Sequence, residues 1–297
     1  MSDFVDGRAG IDADLVRRLV AGQFPQWADR PVTPVKVDGW DNRTYRLGED
    51  MTVRLPTHAS YAPAVDKEDR WLPVLAPHLP VPIPSPLALG QPGEGYPFHW
   101  SVRRWMDGET ATPSRIGSMT SFAESIAGFI RALQAIDASG GPPAGTHSFY
   151  RGASPSHYDG ETRDAVDALG SRIDGRSALA VWDAALAPPY DGPPVWFHGD
   201  IAEGNLLVRE GALAGVIDFG TSGVGDPACD LVIAWTFFDG ASRSAFRRAV
   251  AQDEGIWERA RGWALWKALI SLADDLDGPY AAINQRIVDA VLAEAGA

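Results

Sequence analysis

The chain has 297 residues, with 26 Lys plus Arg against 39 Asp plus Glu and a formal net charge of −13. Hydrophobic residues make up 45% and charged residues 22%, enough apolar material for a sizeable core, so wholesale disorder is excluded. A field of this sign repels nucleic-acid phosphate, so an anionic ligand must be held by local chemistry that includes a cation, whereas a cationic partner is attracted.

Asp3 and Asp6 precede no apolar h-region, so no signal peptide is expected. No run approaches the ~20 apolar residues of a spanning helix. The single cysteine, Cys229, has no internal partner and suits a reducing compartment. These features predict a soluble cytoplasmic protein with no membrane, nucleic-acid or protein partner implied. Asp12 reads as the N-cap of a helix over residues 13–21. Strands are then expected at Val35-Lys36-Val37, Thr44–Leu47 and Thr52–Leu55, with Asp38-Gly39-Trp40-Asp41-Asn42 as a turn and Gly48-Glu49-Asp50 closing a hairpin. One helix, Val65–Leu75, carries Lys67 and Glu68. Pro73 and the prolines at 77, 80, 82, 84 and 86 favour extended chain after it. Leu87–Leu89 and Phe98–Trp105 read as further strands.

After Asp107-Gly108 the texture turns helical. Ser121 and Glu124 fit a capping box, and Phe122, Ile126, Phe129, Ile130, Leu133 and Ile136 form one apolar face. Ser139–Ser156 reads as a long loop, either a lid or a surface excursion. Helices are expected over 161–173, 177–186 and from Asp230 onward, interrupted by short β runs in 195–208 and 213–219. The division falls near Trp105, into residues 1–106 and 107–297.

The chemistry-bearing segment is His198-Gly199-Asp200, followed five residues later by Asn205 and, thirteen beyond that, by Asp218-Phe219-Gly220. Apolar strands deliver two carboxylates and an amide to loop ends. Phosphoryl transfer from a nucleoside triphosphate needs this set: one carboxylate to orient a hydroxyl and take its proton, and an Asp and an Asn oxygen to hold Mg²⁺ on the phosphates. A lone D-x-x-x-x-N is weak, since Asp and Asn are common in polar turns. The three elements together are far harder to obtain by accident.

At these residues, and at Gly225-Asp226-Pro227-Ala228-Cys229-Asp230-Leu231, the chain resembles the aminoglycoside phosphotransferases, small-molecule kinases with a protein-kinase-like fold. The resemblance covers nearly the whole length. It implies an α+β bilobal fold, with a β-rich N-terminal nucleotide lobe, a mainly helical C-terminal lobe, and ATP or GTP with Mg²⁺ between them. It implies Asp200 as the catalytic carboxylate and Asn205 and Asp218 as metal ligands. His198, Asp226 and Asp230 would support the loop. It further places the adenine edge at the backbone of Arg104 and Met106. The third strand offers Arg54 where such kinases carry lysine. Arg54, paired with Glu68, would contact phosphate, the alternative being that Lys67 supplies the charge. No G-x-G-x-x-G follows the first strand. Gly39–Thr44 stands in its place, where Asn42 and backbone N–H groups would reach the phosphates or simply form a turn. That departure at Arg54 keeps a nucleotide-binding pseudokinase open.

Five residues separate Gly220 from Asp226, too few for a peptide-docking activation segment, so the expected acceptor is a small-molecule hydroxyl. The acidic field and the resemblance favour a small cationic acceptor such as an aminoglycoside, the alternative being a macrolide or metabolic substrate. Asp274, Asp275 and Asp277 form the best acidic group, as surface or as ligand. Trp257, Trp263 and Trp266 read as core or as a stacking platform, and Cys229 as a small buried hydrophobe.

Overall fold

A computed structural model describes residues 10–36, 38–39, 41–187 and 189–295; the expectations resting on Asp3, Asp6, Val37 and Trp40 lie outside the described residues. The chain divides into two units, Met1–Gly108 with Ala214–Gly220, and Glu109–Leu213 with Thr221–Ala297.

In the first unit Asp12 caps α1 (Ala13–Gln23), its Oδ1 accepting the Leu15 N–H at 2.8 Å. The strand expected at 35–37 sits earlier, as β1 (Val32–Pro34), because Val32 is buried and pairs with Leu47. β2 (Asn42–Leu47) and β3 (Met51–Pro56) form the expected antiparallel hairpin. Gly48 turns it at a φ of 65°, a left-handed conformation that glycine adopts without strain. α2 (Pro63–Leu75) runs through Pro73 to the expected end at Leu75, and a further helical turn, Ala76–His78, contains Pro77 where extended chain was expected. Pro73 lies in the last turn, where it removes only one backbone bond, and the buried Leu72 and Leu75 hold the helix on either side of it. β4 (Pro86–Gly90) and β5 (Trp100–Arg104) complete an antiparallel sheet in the order β1-β2-β3-β5-β4. The α1 face of Leu15, Val16, Leu19 and Val20 packs with Val53, Trp100 and Val102 of this sheet. Each such aliphatic side chain contributes about 1.5–3 kcal/mol by leaving water.

The second unit begins with β6 (Glu109–Thr110) and α3 (Met119–Gln134). Its cap is Ser118, not Ser121: Ser118 Oγ accepts the Ser121 N–H at 3.3 Å, so the helix starts three residues before the expected box. The predicted apolar face is buried throughout. The 139–156 stretch is irregular apart from short turns, and α4 (Asp159–Leu169) and α5 (Gly175–Leu186) follow. β7 (Val195–Phe197) leads to β8 (Leu206–Arg209), which pairs with β6. β9 (Ala212–Val216) carries the chain into Ala214–Gly220, and β10 (Gly223–Gly225) returns to pair antiparallel with β7. The helices α6 (Ile233–Thr236), α7 (Gly240–Val250), α8 (Glu254–Asp274) and α9 (Ala281–Ala295) end the unit. α8 packs on α4, α5 and α9, so it is apolar nearly all round. Trp257, Trp263 and Trp266 are buried in that packing and are core residues. No helix among the described residues is long and apolar enough to cross a membrane.

Candidate active site

In the second unit, buried Trp196 and Phe197 anchor β7 and fix where His198-Gly199-Asp200 emerges. Gly199 has a φ of 86°, and a side chain there would meet Thr221 Oγ1 at 2.9 Å, so the turn needs glycine on two counts. The fully buried Asp230 carboxylate accepts the N–H of His198 at 2.8 Å and of Gly199 at 2.6 Å. Burial pushes the Asp230 carboxyl up, while the bonds from the His198 and Gly199 N–H groups pull it down. His198 is buried, and its Nδ1 accepts the Asp200 N–H at 3.2 Å, which in the neutral ring puts the proton on Nε2. The imidazole thus faces its own loop. Asp226 caps the turn Pro227–Leu231 by accepting the Ala228 N–H at 3.0 Å and pairs at 2.5 Å with buried Arg259. Burial raises the Asp226 carboxyl against the pull of that guanidinium.

Asp200 itself is exposed. Asn205, at the end of the turn Glu203–Asn205, donates through Nδ2 to the Asp200 carbonyl at 2.9 Å and to Asp200 Oδ2 at 2.8 Å. Both bonds use the amide nitrogen, so the Asn205 Oδ1 is oriented as an acceptor of a different kind of partner. A hard oxygen in that position suits Mg²⁺, which is commonly held by one or two protein oxygens together with substrate phosphates.

The first unit holds a charged cluster. Arg54 Nη2 donates to Asp218 Oδ1 at 3.3 Å, whereas its approach to Glu68 is long, 3.8 Å. Glu68 is instead held bidentately by Arg103 of β5, at 3.1 and 2.7 Å, with both side chains buried. Burial works against the Arg54 charge, but Asp218 and Glu68 outweigh it and hold its pKa above the usual value. For Glu68, burial is overcome by Arg103, Arg54 and Lys67, which hold the carboxyl at about 2. Lys67 donates to the Gly220 carbonyl at 2.6 Å, and burial lowers its ammonium to about 8 against the attraction of Glu68 and Asp218. Asp218 has a φ of 67°, which costs a non-glycine residue on the order of 1 kcal/mol and persists only where surrounding contacts impose it.

Because its pKa is depressed on folding, Glu68 adds stability that is complete above its ordinary 4.5 and lost as pH falls toward about 2. The difference in urea midpoint between the wild type and Glu68→Gln should therefore be largest near neutrality and shrink steadily below pH 4.5. A difference independent of pH would remove the charged role assigned to Glu68.

A profile of the phosphotransferase enzyme family matches residues 32–266, a span containing both clusters. The chain belongs to that family. An aminoglycoside 3'-phosphotransferase from Escherichia coli is 37% identical over 92 residues, 29% of this chain and 32% of that relative. The matched stretch thus spans about a third of the relative's length. Among solved structures, the GDP complex of wild-type aminoglycoside 2'-phosphotransferase-IIIa is similar at a TM-score of 0.69 and 17% identity, covering 96% of this chain and 99% of the other. The macrolide 2'-phosphotransferase MphH from Brachybacterium faecium is similar at 0.60 and 20%, covering 94% and 98%. This phosphotransferase-family chain therefore has the fold of the aminoglycoside phosphotransferases, with its β-rich part N-terminal and its helical part C-terminal.

Within this family member, the Arg104 N–H donates to the Ser85 carbonyl at 2.9 Å. Met106 follows the end of β5, and Asn42 opens β2 opposite Pro56. Asp274, Asp275 and Asp277 are exposed, and Asp277 lies 3.8 Å from Arg172, as expected of a solvated face. The 139–156 loop is tied down by its own side chains: Ser148 Oγ donates to the Arg151 carbonyl, and Arg151 lies over the Trp266 ring at 4.9 Å. Cys229 is buried, and burial raises its thiol well above the usual range. Arg103 and Arg259 were missed from sequence. Arg103 is followed by Arg104 in β5, and Arg259 stands between Glu258 and Ala260 in α8, so neither carried a local signal that marked it as the buried partner of an acid.

Proposed function

We propose that the protein is an ATP- or GTP-dependent O-phosphotransferase that transfers the γ-phosphate to a hydroxyl of a small molecule. The observation that carries this reading is the double clamp of Asn205 on Asp200, which fixes the carboxylate and frees an amide oxygen. Asp200 orients the acceptor hydroxyl and takes its proton as the O–P bond forms. Asn205 and Asp218 are the proposed oxygen ligands for Mg²⁺, whose chemistry there is to neutralise phosphate charge. Arg54 steadies the phosphates, held by Asp218 at the distance described. Asn42 and nearby N–H groups are assigned to the phosphates, and the Arg104 carbonyl and Met106 backbone to the adenine or guanine edge. Asp226, Asp230 and His198 keep the loop in register. The nucleotide-binding and acceptor-binding parts are residues 1–106 and 107–297. The lone, buried Cys229 supports a cytoplasmic setting.

The proposed acceptor is cationic, as an aminoglycoside is: the net charge of −13 attracts it, and an aminoglycoside kinase is among the relatives. A macrolide is the second acceptor class, favoured by the likeness to MphH. Nucleoside diphosphate release from ATP and GTP, measured with Mg²⁺ across aminoglycosides, macrolides, sugars and amino alcohols, tests the reading. Acceptor-dependent release with one class supports it. Tight Mg²⁺·nucleotide binding without turnover on the whole panel favours a pseudokinase.

A further inference from the structure

The turn Asp218-Phe219-Gly220 is held along one face of α2. Ala64 and Lys67, three residues apart, share that face. Lys67 donates to the Gly220 carbonyl at 2.6 Å, and an atom added at Gly220 would lie 3.7 Å from Ala64 Cβ and 3.5 Å from Asp218 Oδ1. The next residue on the helix, Glu68, is fixed by the two bonds from Arg103, so α2 cannot rotate about its axis without breaking a buried ion pair. The same turn is tied on its approach by the Val216 N–H to the Pro82 carbonyl, at 3.1 Å. Its carboxylate faces Arg54. The left-handed backbone of Asp218 is thus imposed from outside the turn.

We infer that Lys67 is a positioning residue for metal binding: its bond to the Gly220 carbonyl sets the direction of the Asp218 carboxylate, with Arg103 and Glu68 holding Lys67 in place. The inference rests on the reading of Asp218 as a Mg²⁺ ligand. Arg54 reaches the carboxylate, while Lys67 reaches the backbone that aims it. A residue needed only for packing could be replaced by an apolar side chain of similar length. A residue that aims a ligand could not.

The test is ADP binding titrated against MgCl₂ by calorimetry, with thermal unfolding in parallel, for wild type, Lys67→Met, Lys67→Gln, Lys67→Arg and Asp218→Asn. Loss of a charge-assisted bond should raise the MgCl₂ concentration for half-maximal ADP binding about tenfold in Lys67→Met. Lys67→Arg should recover most of it, and ADP affinity without Mg²⁺ should be unchanged. Lys67→Gln is read in its place if Lys67→Met does not fold. A folded variant lacking the ammonium but keeping the wild-type Mg²⁺ dependence overturns the inference. If Asp218→Asn also keeps that dependence, it is the metal-ligand reading of Asp218 that fails.

Discussion

Asp200→Asn should reduce turnover by about a thousandfold, within the range that a positioned general base contributes. The substitution is nearly isosteric. Its Oδ1 can still accept from Asn205 Nδ2, and the backbone bonds of the loop to His198 and Asn205 do not involve the carboxylate. The unfolding temperature and Mg²⁺·ADP affinity should therefore stay close to wild type, and the loss should fall on kcat. Kinetics on an accepted substrate, with nucleotide titrations alongside, separate these quantities. Equal losses in nucleotide affinity and turnover would make Asp200 a binding residue and leave the base unassigned.

Asp226→Ala should be the most destabilising single change in the second unit. It strands the Arg259 guanidinium, buried at 4% exposure, and uncaps the Ala228 N–H. Breaking one side of a buried ion pair costs about 3–5 kcal/mol, because the remaining charge is left uncompensated. For a unit of this size the unfolding midpoint should drop by on the order of 10 °C. The double variant Asp226→Leu with Arg259→Met removes both charges and should recover most of that loss, measurable as a second thermal transition by calorimetry. A double variant no more stable than Asp226→Ala would show that the cost lies in the lost cap and packing. Turnover should fall with the single change even where the protein stays folded, because the turn Pro227–Leu231 carries Asp230, which holds the N–H groups of His198 and Gly199.

The loop from His198 to Asn205 was legible because its residues meet through local spacing. Asn205 meets Asp200 across five residues, and the glycine at 199 marks a turn that only glycine fits. The hairpin of β2 and β3 and the apolar face of α3 were legible for the same reason, a short-range period with turn residues at its ends. The ion pairs were not. Glu68 finds Arg103 at a separation of 35 residues and Asp226 finds Arg259 at 33, distances set by the tertiary fold. The expected pair of Arg54 and Glu68 is present at 3.8 Å, but the short, paired bonds to Glu68 come from Arg103, and Arg54 also reaches Asp218 at 3.3 Å. The helical turn Ala76–His78 was not legible because the prolines spaced along 77–86 read as extended chain, whereas Pro77 sits in the first positions of that turn, where its missing N–H removes no bond.

The acidic composition was informative mainly by exclusion. A charge of −13 says what the surface repels, while the cluster of the first unit is built from three cations, Arg54, Lys67 and Arg103, gathered around two acids, Glu68 and Asp218. Local chemistry there overrides the net field.

The most direct measurement is phosphate transfer itself: wild type and Asp200→Asn incubated with Mg²⁺ and ATP or GTP across the acceptor panel, with products read by mass spectrometry. The wild type should yield an acceptor carrying one added phosphate on a hydroxyl, and Asp200→Asn almost none. Phosphorylated acceptor formed equally by both proteins would contradict the role assigned to Asp200.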